Sequence, residues 1–370
     1  MQHQHKTLKT SKLPDFCGPR QFCAIDLFSG SGAVSAGLKQ EGFKILAAVD
    51  NDIIACKTYK MNHPEVSLLQ GDIRLIDPKS IATQLSIEAP IDLLVVCAPC
   101  QPFSNQNRKR VVTDPRADLI IEATRFVKVF RPKVVFFENV PGLATNGPIA
   151  ELATSLKKLG YYLSNPLKLD AADMGVPQRR ERCILIATRR RRVSESFGNN
   201  IAAIKRTTVR EAIGYLPSLK SGESSATDPL HRARIHQPIT LQRLGLIPQD
   251  GGSRSSLPMH LVLKCHENRD TDFPDVYGRL KWNDVAPTLT TGCTDVTRGR
   301  FAHPRDDRAL TLREAALLQS FPIEYRFFGN AGQVARQIGN AVPVGMIRAL
   351  VPYITAAMSG YKKLPRREVI

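Results

Sequence analysis

The chain has 370 residues, 42% hydrophobic and 23% charged, ordinary for a soluble globular protein large enough for one big domain and a smaller one. Its charge is not ordinary: 52 Lys+Arg against 34 Asp+Glu gives +18 and a pI near 9.7, a balance that suits a polyanion, nucleic acid being the usual one. Eight irregularly spaced cysteines argue against a secreted disulfide framework. No second Cys-x-x-Cys completes a zinc site, Cys265-His266 being adjacent rather than spaced as ligands, so no metal is expected.

Residues 1–20 are polar and basic and read as a loose lead-in. Phe22 to Phe28 reads as a buried strand, followed by Ser29-Gly30-Ser31-Gly32 and a helical pattern through Lys39. Strand, glycine turn and helix make a nucleotide-cradling arrangement. It is not the dinucleotide fingerprint, because Ser35 stands where a third glycine would fall. Ile45 to Val49 is a second strand ending in Asp50-Asn51-Asp52, where an acid can hydrogen-bond ribose hydroxyls. Val66 to Leu69 leads to Gly71-Asp72-Ile73, a third strand end carrying an acid. Turn chemistry explains any one of these aspartates equally well.

Ile91 to Val96 is a continuous apolar run, the pattern of a strand buried on both faces. Pro99 stops its ladder, leaving Cys100 just past the carboxyl end, where open α/β sheets bind ligands. Cys100 is a candidate nucleophile; a packed small hydrophobe and a Cys97/Cys100 redox or metal pair are the other readings. Asn105–Arg116 is long and polar enough for a lid, and Ala117 to Phe130 has helical periodicity. Val134 to Phe137 is another buried strand with Glu138 at its end. A carboxylate so placed is partly desolvated and holds its proton more tightly, unless it serves as a cap or a structural ion pair.

Pro148 to Leu159 reads as a helix, and two short strand candidates lead to Gln178-Arg179-Arg180-Glu181-Arg182. Cys183 to Ala187 is the last strand before Arg189–Arg192. Seven arginines lie between Arg179 and Arg192, and beside a strand edge they suit phosphate. From about 193 the strand–helix alternation stops and Gly, Ser, Pro, His and Arg gather in short segments. Order returns with Ala286 to Thr291, a helix from Leu312 to Gln319, and Gln337 to Pro343 opening an apolar helix, Val344 to Met358.

Seven of these pieces, in order, carry a resemblance to the cytosine-5 DNA methyltransferases of bacterial type. They are Asp26-Leu27-Phe28-Ser29-Gly30-Ser31-Gly32, Asp50, Gly71-Asp72-Ile73, Pro99-Cys100-Gln101-Pro102-Phe103-Ser104, Glu138-Asn139-Val140, Gln178 to Arg182, and Gly339-Asn340-Ala341-Val342-Pro343. Ala33 and Ala98 depart from the family, each standing where a glycine is frequent.

The resemblance implies an α/β fold: a Rossmann-like, mostly parallel, doubly wound methyltransferase sheet with a second, smaller target-recognition domain. The expected boundaries are 20–192 plus 325–362 for the catalytic domain, 193–275 for target recognition, and 276–324 as a connecting segment. It also implies S-adenosyl-L-methionine as cofactor, at Phe28, Gly30, Gly32, Asp50, Asp72, Ile73, Pro99, Asn340 and Val342. Cys100 would attack carbon 6 of a flipped-out cytosine in a specific duplex sequence, Glu138 would contact nitrogen 3 and the exocyclic amine, and Arg182 the ring oxygen, with Arg180 aiding that site or a phosphate.

The same chemistry on cytosine in transfer RNA, or a nucleic-acid-binding protein with a dead catalytic domain, are the alternatives. The expected partner is double-stranded DNA, alongside a cognate restriction endonuclease acting separately. No run of about 18 apolar residues or signal peptide is seen, so the expectation is a cytoplasmic, nucleoid-associated monomer without a membrane partner.

Overall fold

The computed structural model describes residues 21–99, 117–141, 147–199, 201–263 and 275–359. The lead-in 1–20, Cys100 with the Asn105–Arg116 loop, and Cys265-His266 lie outside the described residues.

Runs of apolar residues form strands covered on both faces. β1 (Cys23–Leu27), β2 (Lys44–Asp50), β3 (Ser67–Gln70), β4 (Leu93–Val96) and β5 (Val134–Asn139) are parallel, in the order β3-β2-β1-β4-β5. Two short pieces, β6 (Tyr162–Leu163) and β7 (Leu167–Asp170), lie antiparallel along the outer side of β8 (Glu181–Thr188), which is itself antiparallel to β5. Pro166 sits between the two pieces and cannot donate to the ladder, which explains the break.

Alternate residues of each strand feed opposite cores. Ala24, Leu93, Val95, Val134 and Phe136 pack with α1 (Ala33–Gln40) and the final helix, while Ile25, Leu27, Leu94, Val135 and Phe137 pack on the other face. There α3 (Pro78–Gln84), α4 (Ala123–Phe130) and α5 (Gly147–Lys158) cover the sheet, and α2 (Ile53–Asn62) joins β2 to β3. Helices on both faces of a mostly parallel sheet make this the expected doubly wound α/β fold.

Past the sheet come α6 (Arg191–Ser196), α7 (Val209–Ile213), α8 (Pro238–Leu246), α9 (Leu312–Leu318), α10 (Ala331–Asn340) and α11 (Val344–Ser359). Their packing does not follow the expected 193–275 and 276–324 boundaries. Val193 and Phe197 join the core under α11, while Val209 and Ile213 pack with α9, α10 and Ala33 and Ala36 of α1. A small cluster joins Leu244 and Ile247 to Val276, Tyr277, Val296, Ala302 and Ala309.

Buried charge holds that small cluster together. The Arg279 guanidinium donates to the carbonyls of Leu244 (by a short bond) and Ile247 (3.1 Å) on one side and of His303 (3.1 Å) and Asp306 (2.9 Å) on the other. Arg308 makes two 2.8 Å bonds to the Glu314 carboxylate and a third to Asp306. His303 lies between Asp306 and Glu314, and burial pushes its pKa down to about 4.

The antiparallel β8 also divides the arginine run. Its register pairs Cys183 with Asn139 and Thr188 with Val134, so Arg182 lies at the carboxyl edge of the sheet and Arg189 at the amino edge. Seven residues at about 3.3 Å each separate them by roughly 23 Å. The expectation of a single phosphate strip from Arg179 to Arg192 is therefore corrected. One strand crossing the sheet carries the two groups to opposite sides.

Candidate active site

The chain leaves β1 and β4, neighbours in the sheet, towards opposite sides, and the crevice beyond their carboxyl ends is the usual ligand site of such a sheet. A cavity of about 250 Å³ opens there, lined by Phe28 to Ser31 after β1, Asp50 to Asp52 after β2, Cys97 to Pro99 after β4, Glu138 on β5, Arg182 on β8, and Asn340 to Val342 after α10. Six of the nine positions expected to hold the cofactor (Phe28, Gly30, Asp50, Pro99, Asn340 and Val342) thus come together.

The turn after β1 is shaped by backbone geometry. The Gly30 N–H donates to Asp50 Oδ2 at 2.7 Å, and the Asp52 N–H to Asp50 Oδ1 at 2.8 Å, so one carboxylate knits two strand ends. Burial raises the Asp50 pKa nonetheless. Gly32 does not line the cavity: its φ is +91°, and a Cβ there would meet His63 and Tyr325 within 2.9 Å. Tyr325 in turn donates to the Ser31 carbonyl at 2.6 Å, tying residues past α9 to this turn. Beneath it Asp26 is fully buried; Ser35 Oγ donates to its Oδ2 at 2.7 Å, and its Oδ1 has no hydrogen-bond partner among the described residues. Burial pushes the Asp26 pKa up to about 7.

Two further expected positions also lie off the cavity. Asp72 follows β3 as expected, but its carboxylate accepts from the Arg74 N–H and Nε at 3.0 Å each, which holds its pKa down near about 2. Its neighbour Ile73 packs into the core under α3.

The carboxyl ends of β5 and β8 bring the expected chemistry together. Glu138 is buried, and Arg182 Nε approaches its Oε1 to 2.7 Å. Burial raises the Glu138 pKa, with Arg182 and Arg180 opposing the rise. Asn139 Nδ2 donates to the Ala98 carbonyl at 3.1 Å, fixing the residues just before Cys100 against β5. Cys100 itself lies outside the described residues.

Gln178, Arg180 and Arg182 share one face by the alternation of an extended chain, but only Arg182 reaches the cavity. Arg180 donates to the carbonyls of Leu289 at 2.9 Å and Gly339 at 2.8 Å. Gln178 accepts from the Leu289 N–H at 2.7 Å and donates to Gln319 Oε1 at 3.0 Å. Both residues bind the stretch around Leu289 and the end of α10 to the sheet, and Gly339 is needed there because a Cβ would lie 2.5 Å from Thr290. The expected place of Arg180 beside the base or a phosphate is corrected to this buried tie. Arg336 and Gln337, on α10, also line the cavity and were not among the expected site residues.

The family model for C-5 cytosine-specific DNA methylases matches residues 22–356. The Type II methylase M.HgiDII of Herpetosiphon aurantiacus is 36% identical over 356 residues, covering 94% of this chain and 98% of that protein. The Type II methyltransferase M.PspPI of Psychrobacter is 32% identical, covering 90% and 78%. Among solved structures, a DNA modification methyltransferase encoded within an E. coli prophage superposes with a TM-score of 0.70 at 24% identity, over 92% of this chain and 99% of that one. The Spodoptera frugiperda DNMT2 structure gives 0.60 at 18%, over 90% and 99%. With a buried glutamate–arginine pair, a glycine turn and a strand-end Cys97-Ala98-Pro99 around one cavity, the chain belongs to the C-5 cytosine-specific DNA methylases and is a DNA (cytosine-5-)-methyltransferase.

Proposed function

We propose that the cavity beyond β1, β2 and β4 holds S-adenosyl-L-methionine and that the space beside Glu138 and Arg182 takes the flipped-out cytosine, with Cys100 as its nucleophile. The residues fit the cofactor: nothing lies within 4 Å of where a Cβ would stand on Gly30, so the backbone is open to a ligand, and Asp50 and Asp52 present carboxylates suited to ribose hydroxyls. When bound, the cofactor supplies a methyl group on a sulfonium.

Cys100, as thiolate, forms a bond to carbon 6 of cytosine. Glu138, whose raised pKa keeps a proton available, protonates nitrogen 3, and the electron pair moves to carbon 5, which becomes nucleophilic. Arg182 holds the ring oxygen and moderates the charge on Glu138. After methylation, loss of the carbon 5 proton to water expels the cysteine as thiolate, and return of the nitrogen 3 proton to Glu138 restores the ring. Duplex DNA hides carbon 6 in the stack, so the base must be extruded first. The target sequence is read from within the expected 193–275 segment, past the part of it that packs with the catalytic core, and the Type II relatives favour a separate endonuclease sharing that target.

The carrying observation is the buried Glu138–Arg182 pair at 2.7 Å on the cavity that Cys97–Pro99 also line. Labelled methyl groups from S-adenosyl-L-methionine should enter duplex DNA with wild type and not with Cys100→Ser, while cofactor binding persists in both. Duplex carrying 5-fluorocytosine in the target should trap the wild type covalently. Labelling by Cys100→Ser, or trapping through Cys97, defeats the assignment.

A further inference from the structure

The strongest feature outside the cavity is the opposite edge of the same sheet. β4 and β5 begin there and β8 ends there; α4 and α5, which return the chain from the carboxyl edge, also end there. Lys128, Arg131, Lys157 and Lys158 at those helix ends therefore join Arg189–Arg192, and all are exposed. Carboxylates beside β4, β5 and β8 on this side are few; Glu41 and Glu65, before β2 and β3, lie farther along the edge and are paired with Arg348 and Lys39. Asp92 is held by Lys133 at 2.7 Å, Glu195 by Arg191 at 2.7 Å, and Glu88 lies on the loop before β4.

Lysines in the last turn of a helix are an ordinary complement to its dipole. Arg189 and Arg190 follow a strand, and Arg191 and Arg192 open α6 at its positive end, so the dipole does not favour them. Tyr161 links the two groups. Arg189 lies 5.2 Å over its ring, its hydroxyl donates to the Pro132 carbonyl at 2.7 Å, and burial raises its pKa, with Arg189 and Arg131 opposing the rise. Arg190–Arg192 line an open depression together with Glu195, Ser196 and Asn199; the Ser196 hydroxyl donates to the Arg192 carbonyl at 2.7 Å, so the guanidinium groups are what the depression offers to phosphate oxygens.

We propose that the amino edge of the sheet is a second binding surface for duplex DNA, contacting the phosphate backbone without reading sequence. It faces away from the cavity, so one molecule can hold a second duplex while the first lies over Glu138 and Arg182. The inference rests on duplex DNA being the substrate. Its occupant is chosen because the exposed cations form a broad field with few carboxylates, the footprint of backbone binding.

The test uses the full chain, S-adenosyl-L-methionine, and two short duplexes of unrelated sequence carrying donor and acceptor fluorophores. Wild type should bring the duplexes into energy transfer that fades with salt. Lys157→Glu, Lys158→Glu, Arg190→Glu and Arg192→Glu together should abolish transfer, with methylation of a single short target duplex unchanged. The matching glutamine set, which removes charge without adding any, should weaken second-duplex binding and flatten its log–log salt slope by about 0.9 for each phosphate no longer neutralised. Absence of transfer in wild type, transfer surviving the charge reversal, or methylation falling in step with transfer would each overturn the proposal. Failure of the methylation reading would show separately, as unlabelled DNA with transfer intact.

Discussion

Two buried glutamate–arginine pairs in this chain do opposite things. Glu314 accepts both 2.8 Å bonds from Arg308 and a 2.8 Å bond from the Thr311 N–H, and lies beside His303; these partners hold its pKa below the usual range despite full burial. Glu138 meets Arg182 at a single oxygen, and burial wins, raising its pKa. The residue types are the same, so it is the number of partners that differs. A saturated carboxylate is locked as an ion and holds segments together, whereas an under-partnered one keeps a proton within reach and faces a cavity.

The largest effect that would sharpen this contrast is on turnover. Glu138→Gln keeps shape and hydrogen bonding but delivers no proton, so methyl transfer should slow by about 100- to 10,000-fold with DNA binding preserved. Stability should hold or rise, since a desolvated carboxylate is removed. Single-turnover methylation beside thermal unfolding reads both; a loss of only a few-fold would mean that Glu138 merely orients the base.

Glu314→Gln should show the reverse. Removing one charge leaves Arg308 buried without its bidentate partner, a change that costs about 3–5 kcal/mol when a buried pair is broken. The wild-type pair also has a pH signature. Because the folded Glu314 pKa is depressed, its contribution is present above the unfolded carboxylate pKa and is lost as pH falls through the folded value. Urea unfolding against pH should show that acid loss in wild type and not in Glu314→Gln. Unchanged stability in the variant would mean that the network is not what closes the small cluster.

Glu138 and Asp50 were legible because each follows directly on an apolar run: Glu138 ends Val134 to Phe137, and Asp50 ends Ile45 to Val49. Strand burial is a local pattern, and the edge where ligands bind comes with it. Side-chain direction did not come with it. Asp72 stands at the expected strand end but faces Arg74, and Arg180 sits two residues from Arg182 yet turns to Leu289 and Gly339. The arginine run looked continuous because adjacency in sequence hides that β8 crosses the whole sheet.

The packing from 244 to 309 was illegible for a different reason. Arg279 joins Leu244 and Ile247 to His303 and Asp306, contacts between distant residues that no periodicity announces. A composition change near 193 was visible, but Val193 and Phe197 still belong to the large core.

Asp26 extends the series to a carboxylate with no cation partner among the described residues. Ser35 donates to its Oδ2, and burial lifts its pKa to about 7. Since the folded value is raised, folding takes up a proton between the unfolded pKa of about 4 and about 7, so the wild type should lose stability as pH rises through that window. Between pH 6 and pH 8, roughly one pKa unit of linkage remains, or about 1.4 kcal/mol. Asp26→Asn keeps the size and the acceptor for Ser35 but cannot ionise, so its stability relative to wild type should improve by that amount from the lower pH to the higher. Chemical denaturation of both proteins at the two values measures it. A pH-independent difference would mean that Asp26 keeps one protonation state throughout, and the inverse order would mean that a cation reaches it after all.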